Sequence, residues 1–359
     1  MGNISAPPFN SDHIFRLTDD TGMFQHAKFS VPDPTHGYTT DDNARALIVA
    51  MLLWTVYEQE EYLDLAYRYL SFVLHAQTEN GKYRNFMSYG RLFLEKEGSE
   101  DCFGRCLWAL GYVVANPKTP DGMKEACKML LSKSMPNVPN LHWLRAKAYS
   151  IIGLRYVATT QAYDCIRDLA GSLADSYKKH AIKKWHWFED VMTYSNAVLP
   201  WAMFIAGKVV SNSEWLSIAE KSLAFLEKVT FSEGYFKPVG CHGWYSKDGI
   251  PAKYDEQPVE ACETALAYLE GYSVIRRIDY LSKAKKCRNW YLGQNSLQKS
   301  LIDPQTGGCY DGITPTGLNL NQGAESIISY CMCSLIIDEM NYEGGVSNGF
   351  SQSGNFPAL

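Results

Sequence analysis

The chain has no uninterrupted apolar stretch of about 18 residues, so no segment is expected to span a membrane. It also lacks a basic signature. Lys and Arg number 34 against 39 Asp and Glu, the net charge is −5, and no run of like charge occurs. That balance argues against nucleic acid or an anionic lipid surface as a partner. Paired metal-ligand spacings are missing as well. There is no C-x-x-C and no H-E-x-x-H, the nearest cysteine spacings being Cys102-x-x-x-Cys106 and Cys331-x-Cys333. No metal site and no cofactor is expected. The N-terminal "MGNISAPPFN" has no basic segment followed by an apolar one, and Ala6 stands where a myristoylation signal wants Ser or Thr. Several of the ten cysteines fall within apolar helical patterns such as "CLWALGYVV" and "SYCMCSLII". They are read as small buried hydrophobes in a reducing, cytoplasmic compartment. Cys241-His242 is read as a loop feature without a metal role.

Strand-like alternation is scarce too. Apolar residues, 46% of the 359, recur instead at helical spacing over long windows. A unit then repeats, in which a polar or charged cluster opens a very apolar helix and a more amphipathic helix follows. The apolar members are "TTDDNARALIVAMLLWTVY", "GSEDCFGRCLWALGYVVAN", "HWLRAKAYSIIGLRYVATT", "WFEDVMTYSNAVLPWAMFIAG", "YDEQPVEACETALAYLEGYSV" and "NQGAESIISYCMCSLII". From Asp42 to Gln322 their starts recur about every 56 residues, a period that suits helix pairs with substantial links. A helix that is apolar nearly all round is buried on all sides, and one with a charged face lies outside. The pattern therefore predicts an all-α fold, an (α/α)6 toroid of six hairpins with inner and outer helix rings. Residues 1–359 are read as a single domain ending in an irregular tail at 343–359, with the segment near "SDHIFRLTDD" supplying the sixth outer position.

If all inner helices start at one end of the ring, their first residues converge on one cleft. Those residues are rich in carboxylates, arginines and aromatics, a mixture that suits a carbohydrate: ring faces pack on sugars, while Asp, Glu, Arg and Gln bind hydroxyls. Glycoside hydrolysis needs two carboxyl groups in different protonation states. Adjacent like charges push one pKa up, and an arginine or a helix N-terminus pushes one down. Asp41 and Asp42, beside Arg45, fit such a split. The first and fourth inner helices should face each other, so Asp42 and Asp190 are the leading catalytic pair, with Asp101 and Asp255 as substitutes. His36, Tyr38, Asp41, Arg45, Arg105, Arg145, Trp187, Glu189, Tyr194, Tyr254, Glu256, Gln257 and Glu325 are the expected substrate-binding residues.

Blander roles compete. Thr39-x-x-Asp42 resembles a helix cap, Glu260 two residues after Pro258 suits a helix dipole, and Arg45 and Arg105 follow Asp42 and Asp101 at ion-pair spacing. Trp54 and Trp108 lie well inside inner helices and are expected in the core, whereas Trp185 and Trp187 flank His186 beside "FED" and are expected in the cleft.

The segments "LTDDTGMFQHAKFSVPDPTHGYTTDDNARAL", "YRNFMSYGRLFLEKEGSEDCFGRCLWALG", "WFEDVMTYSNAVLPWAM", "YDEQPVEACETALAYL" and "GGCYDGITPTGLNLNQGAESIISY" resemble, in order, a bacterial family of (α/α)6-toroid domains found alone or attached behind glycosyltransferase-type domains. The resemblance covers nearly the whole chain. It implies a six-hairpin glycosidase-like toroid with a role in glycan metabolism, and it fixes no reaction. No nucleotide-sugar-binding α/β domain accompanies it here, so glycosyl transfer is not expected. The sequence departs from the family pattern at Cys102, at Phe103 and in "GAESI", none of which removes a carboxylate.

The expectation is thus a cytoplasmic enzyme that hydrolyses short oligosaccharides. A sugar epimerase on the same scaffold would want paired bases, for which His36, His142, His186 and His242 are available. A polysaccharide lyase, a non-catalytic glycan-binding protein and a scaffold domain are the other readings, because a toroid serves many functions.

Overall fold

The computed structural model describes residues 9–346, with side chains as far as Asp338. Six helices form the inner ring: α2 (Thr40–Tyr57), α4 (Glu100–Ala115), α6 (Leu144–Leu154), α8 (Val198–Val209), α10 (Pro258–Ile275) and α12 (Ala324–Val346). Each packs on the next, and α12 packs back on α2, so the ring closes. The outer helices α3 (Glu60–Ala76), α5 (Asp121–Ser134), α7 (Thr160–His180), α9 (Ser213–Thr230) and α11 (Asp279–Tyr291) each pack against the inner helix before them. The (α/α)6 toroid follows, with the inner helices all starting at one end.

The burial pattern explains the two rings. In α2 every side chain from Asp42 to Leu53 is buried, and in α8 every one from Val198 to Gly207. In α3 the buried set is Tyr62, Leu63, Leu65, Ala66, Tyr69, Leu70, Phe72, Val73 and Ala76, one stripe at i, i+3 and i+4. Thr39 and Ser99 cap α2 and α4, their hydroxyls accepting the amides of Asp42 and Cys102. Nine of the ten cysteines are buried and Cys241 is half-buried. Trp108 lies in the core as expected, but Trp54 is only partly buried, its indole N–H donating to the Lys118 carbonyl.

The N-terminal segment carries a short helix, α1 (Asp12–Arg16), and lies against α3 and the link before α12. Ser11 and Thr18 hydrogen-bond the hydroxyls of Tyr62 and Tyr69 on α3, and His13 Nε2 pairs with the Gln322 carbonyl before α12. At the other end, α12 runs to Val346, past the point where the tail was expected to begin; 347–359 lie outside the described residues.

Three small antiparallel sheets accompany the helices among the described residues. They are β1 (Phe24–Lys28), β2 (Val31–Thr39) and β3 (Phe86–Met87); β4 (Val191–Met192) with β5 (Tyr245–Ser246); and β6 (Gly312–Thr314) with β7 (Gly317–Asn319). All lie in links that lead to inner helices, so they build the mouth of the ring. The β1–β2 hairpin runs straight into α2. Its Gly37 has φ +63°, and a Cβ there would meet the Met87 carbonyl oxygen at 2.1 Å, so only glycine fits.

Helices α4 and α6 approach through glycines. A Cβ on Gly153 would lie 2.4 Å from the Leu107 backbone, and one on Gly104 2.7 Å from the Ala146 carbonyl oxygen. Gly153→Ala should therefore force the two helices apart and cost about 1–3 kcal/mol. Gly171→Ala, on an open face of α7 with nothing within 4 Å, should gain roughly 0.5–1 kcal/mol. Urea unfolding midpoints of the two variants check both signs.

Candidate active site

Asp41 and Asp42 open α2 and share one arginine. Arg45 Nη2 donates to Asp41 Oδ1 at 2.7 Å and to Asp42 Oδ1 at 2.9 Å, while its Nη1 reaches Glu325 Oε2 of α12 at 3.1 Å. Arg105 of α4 binds the other oxygen of Asp41. Arg45 thus forms the expected local pair with Asp42, whereas Arg105 reaches across to α2 instead of pairing with Asp101. Thr39 Oγ1 donates to Asp42 Oδ2 at 2.5 Å, in addition to capping the helix.

These groups meet in a cavity of about 370 Å³, lined also by Gln25, His26, Asn85, Phe86, Gln257, Asp311, Asn319 and Ser326. Such a volume accommodates a small ligand. Each side of the mouth contributes: the β1 strand brings Gln25 and His26, the cap and first turn of α2 bring Thr39, Asp41 and Asp42, and the link and first turn of α12 bring Asp311, Glu325 and Ser326. Asp311 Oδ1 accepts the Gly323 amide and the Ser326 hydroxyl, both at 2.7 Å. His26 packs edge-on to His36 with ring centroids 4.8 Å apart.

The two adjacent aspartates are electrostatically unlike. Burial pushes Asp41 up, but the guanidinium groups of Arg105 and Arg45 together hold it below the usual carboxylate range. Burial pushes Asp42 up to about 7, against the pull of Arg45 and with a further push from the Asp41 charge. Burial likewise raises Asp311 and lowers His26, with the nearby His36 lowering His26 further.

Beneath the cavity the network continues inward. Arg105 Nη2 donates to the Tyr149 hydroxyl at 3.2 Å, and that hydroxyl lies 2.5 Å from Glu263 Oε1 and 2.9 Å from Ser195 Oγ. Glu260 accepts the Ser195 amide and, at 3.3 Å each, the amide and side-chain N–H of Asn196. It anchors the link into α8 and is more than a helix-dipole charge. Burial, then the neighbouring Glu263, push Glu260 up to about 8 while the N–H donors pull it down.

A second cluster stands beside the cavity. Arg145 of α6 pairs with Glu189 at 2.5 Å and donates through Nε to the Tyr194 carbonyl at 2.7 Å; its guanidinium lies 5.0 Å from the Tyr194 ring centre. The Tyr194 hydroxyl donates to Asp101 Oδ2 at 2.5 Å.

Of the residues expected from the sequence, Asp41, Asp42, Arg45, Gln257 and Glu325 line the cavity, Arg105 backs it, and His36 reaches it through His26. Asp101, Arg145, Glu189 and Tyr194 form the neighbouring cluster. The rest are placed elsewhere. Asp190 does not open the fourth inner helix opposite Asp42: α8 begins eight residues later, and Asp190 is 64% exposed in the link, paired with Lys247. Trp187 is fully buried against Phe188 and Phe225, and Trp185 against Phe225 and Tyr245, so neither presents a face to a sugar. Tyr38 is buried between Phe24 and Phe72, its hydroxyl donating to Asp19 at 2.6 Å. Glu256 is buried, accepting the Trp290 indole N–H at 2.7 Å and the Ser296 hydroxyl at 2.6 Å, and so ties the start of α10 to the α11 link. Tyr254 and Asp255 sit on the half-exposed link before α10, with Asp255 3.9 Å from His242. Sequence reasoning missed His26, Asp311, Tyr149 and Glu263. For Asp311, the acidic residue in the Gly-rich link before α12 was the available signal.

No protein-family model matches the chain, and no curated protein does. Solved structures share the fold. A sugar epimerase from a ruminal bacterium is 15% identical, with a TM-score of 0.71 over 92% of this chain and 96% of its own. The cellobiose 2-epimerase from Bacillus thermoamylovorans is 12% identical, with the same TM-score and coverage. The GH76 alpha-mannanase from Bacteroides thetaiotaomicron is 14% identical, with a TM-score of 0.60 over 87% of this chain and 88% of its own. At these identities the likeness establishes the (α/α)6 toroid.

The raised Asp42 carboxyl has a stability signature. The folded state retains a proton that the unfolded chain releases near pH 4, so stability present at low pH is lost as pH rises toward about 7. Asp42→Asn removes that loss. Relative to wild type, the variant should gain on the order of 1 kcal/mol per pH unit between about pH 5 and 7. Thermal unfolding of both proteins across this range checks the slope.

Proposed function

We propose that this protein is a carbohydrate-active enzyme, a glycoside hydrolase-like catalyst acting on short oligosaccharides, with Asp42 as the general acid. The observation that carries the reading is the split aspartate pair: two neighbouring carboxyls on one arginine, one held ionised and the other raised to about 7, at a polar cavity. A carboxyl that keeps its proton near neutral pH can deliver it to a leaving glycosidic oxygen. Asp41 has both oxygens taken by arginines and sets the local field instead of accepting a proton. Glu325 is the partner carboxylate. One oxygen rests on Arg45, the other has no partner among the described residues, and the side chain is 39% exposed to the cavity. Gln257, Asn85 and Asn319 supply hydroxyl-binding groups around it.

A second reading, a sugar epimerase or isomerase, is favoured by one observation. His26 lines the same cavity, its pKa lowered by burial and by His36, which keeps it neutral and able to take a proton from carbon. The epimerase folds among the similar structures support considering it.

Hydrolysis predicts reducing-sugar release from a panel of manno-, gluco-, galacto- and uronate-containing oligosaccharides, with kcat/KM falling above about pH 7 as Asp42 ionises. Asp42→Asn should lose about a thousandfold in kcat/KM. Incorporation of solvent deuterium at a sugar carbon without bond cleavage, abolished by His26→Ala, would select the isomerase reading instead.

A further inference from the structure

We infer that Tyr194, with Asp101 and Trp143, forms a second sugar subsite beside the cavity, so that the substrate spans at least two rings. The inference rests on the carbohydrate reading of the Asp42 cavity and adds where the substrate extends.

The placement comes from α4. Asp101 and Arg105 are four residues apart, on one face of the helix and about 6 Å apart along it. Arg105 holds Asp41 at the cavity wall, and Asp101, one turn nearer the mouth, holds the Tyr194 hydroxyl. The Tyr194 hydroxyl is thus held one helical turn nearer the mouth than the residue that grips Asp41, and its backbone carbonyl is held by Arg145 of α6.

The ring is built as a platform. The Arg145 guanidinium lies 5.0 Å from its centre, and Arg145 is itself buried and pinned by Glu189 and by the Tyr194 carbonyl. The hydroxyl is tethered to Asp101, so the ring cannot swing, and the side chain remains 39% exposed. A pre-ordered aromatic with an accessible face attracts the C–H face of a sugar through dispersion and its negative quadrupole, at little entropic cost. Asp101 Oδ1 has no hydrogen-bond partner among the described residues and can accept from a sugar hydroxyl. Trp143 is 70% exposed, and its amide donates to Glu100, the residue next to Asp101, which also accepts from His142. Trp143, at the start of α6, is therefore a second accessible aromatic at this end of the ring. Neither is required to bury α6 or α8, since neither lies in the core.

Calorimetry on the Asp42→Asn background, which leaves ligands intact, tests the subsite. The probes are mannose, mannobiose and mannotriose, and glucose, cellobiose and cellotriose. Affinity should rise from monosaccharide to disaccharide in at least one series. Tyr194→Ala should cut that rise about five- to tenfold, and Tyr194→Trp should restore it. Tyr194→Phe, which keeps the ring and loses the Asp101 tether, should fall between. A length-dependent rise that is unchanged in Tyr194→Ala, or no rise at all in a protein that binds monosaccharides, overturns the subsite and leaves the carbohydrate reading standing. Failure of every saccharide to bind overturns the carbohydrate reading and this inference with it.

Discussion

Asp41 is gripped from two helices at once, by Arg45 of its own α2 and by Arg105 of α4, and the site depends on that grip. Through Arg45 the same knot reaches Glu325 on α12, so three consecutive members of the inner ring are joined where the ring closes. Burying charges is expensive, and such a cluster is a poor source of stability; its worth lies in fixing geometry, because breaking one partner leaves an uncompensated charge. Here the fixed geometry decides protonation. Two positive charges hold Asp41 ionised, and its charge helps keep a proton on the buried Asp42 beside it.

The toroid makes this arrangement possible by dividing its axis. Below the mouth the inner helices are largely apolar and meet through side chains such as Trp108, Trp201 and Tyr149. At the mouth each helix begins, its first amides are unpaired, and side chains must satisfy them. Thr39 and Ser99 do so for α2 and α4, and Asp41, Asp42, Glu100 and Asp101 follow in the first turns, where negative charge is favoured. Capping and the candidate site therefore draw on the same helix starts. Between the two zones lies a polar column, Arg105–Tyr149–Glu263, with Glu263 raised chiefly by burial and its Oε2 unpaired among the described residues. Arg105 and the Tyr149 hydroxyl counter that push, so the same guanidinium acts on Glu263 below and on Asp41 above.

Much of this was legible in the sequence. The recurrence of apolar helices with charged starts gave both rings and their order, and Asp41, Asp42, Arg45, Gln257 and Glu325 were marked because each stands at or beside such a start. The misplacements share a cause. In "WHWFED" the aromatics and acids were read as the opening of the fourth inner helix, but they belong to a folded link that runs through β4 before α8 begins. Trp185 and Trp187 turn inward there, onto Phe225 of an outer helix, and Asp190 turns outward to Lys247. Periodicity has nothing to say about a link without a period. The β1–β2 hairpin was missed for a related reason: its prolines, glycine and exposed polar residues carry no alternation, yet it supplies Gln25 and His26 to the cavity.

The sequence by itself determined the ring of six helix pairs, because a helix's burial is written in its own 3.6-residue pattern and needs no knowledge of its neighbours. It also determined that acids would gather at one end, since helix starts favour them wherever they occur. Which acids share an arginine, which one keeps its proton and which aromatic faces outward were decided only by the closed ring. Those properties depend on distances of a few ångströms between α2, α4, α6 and α12, residues that lie up to 280 positions apart in the chain, and on the burial that packing imposes on them.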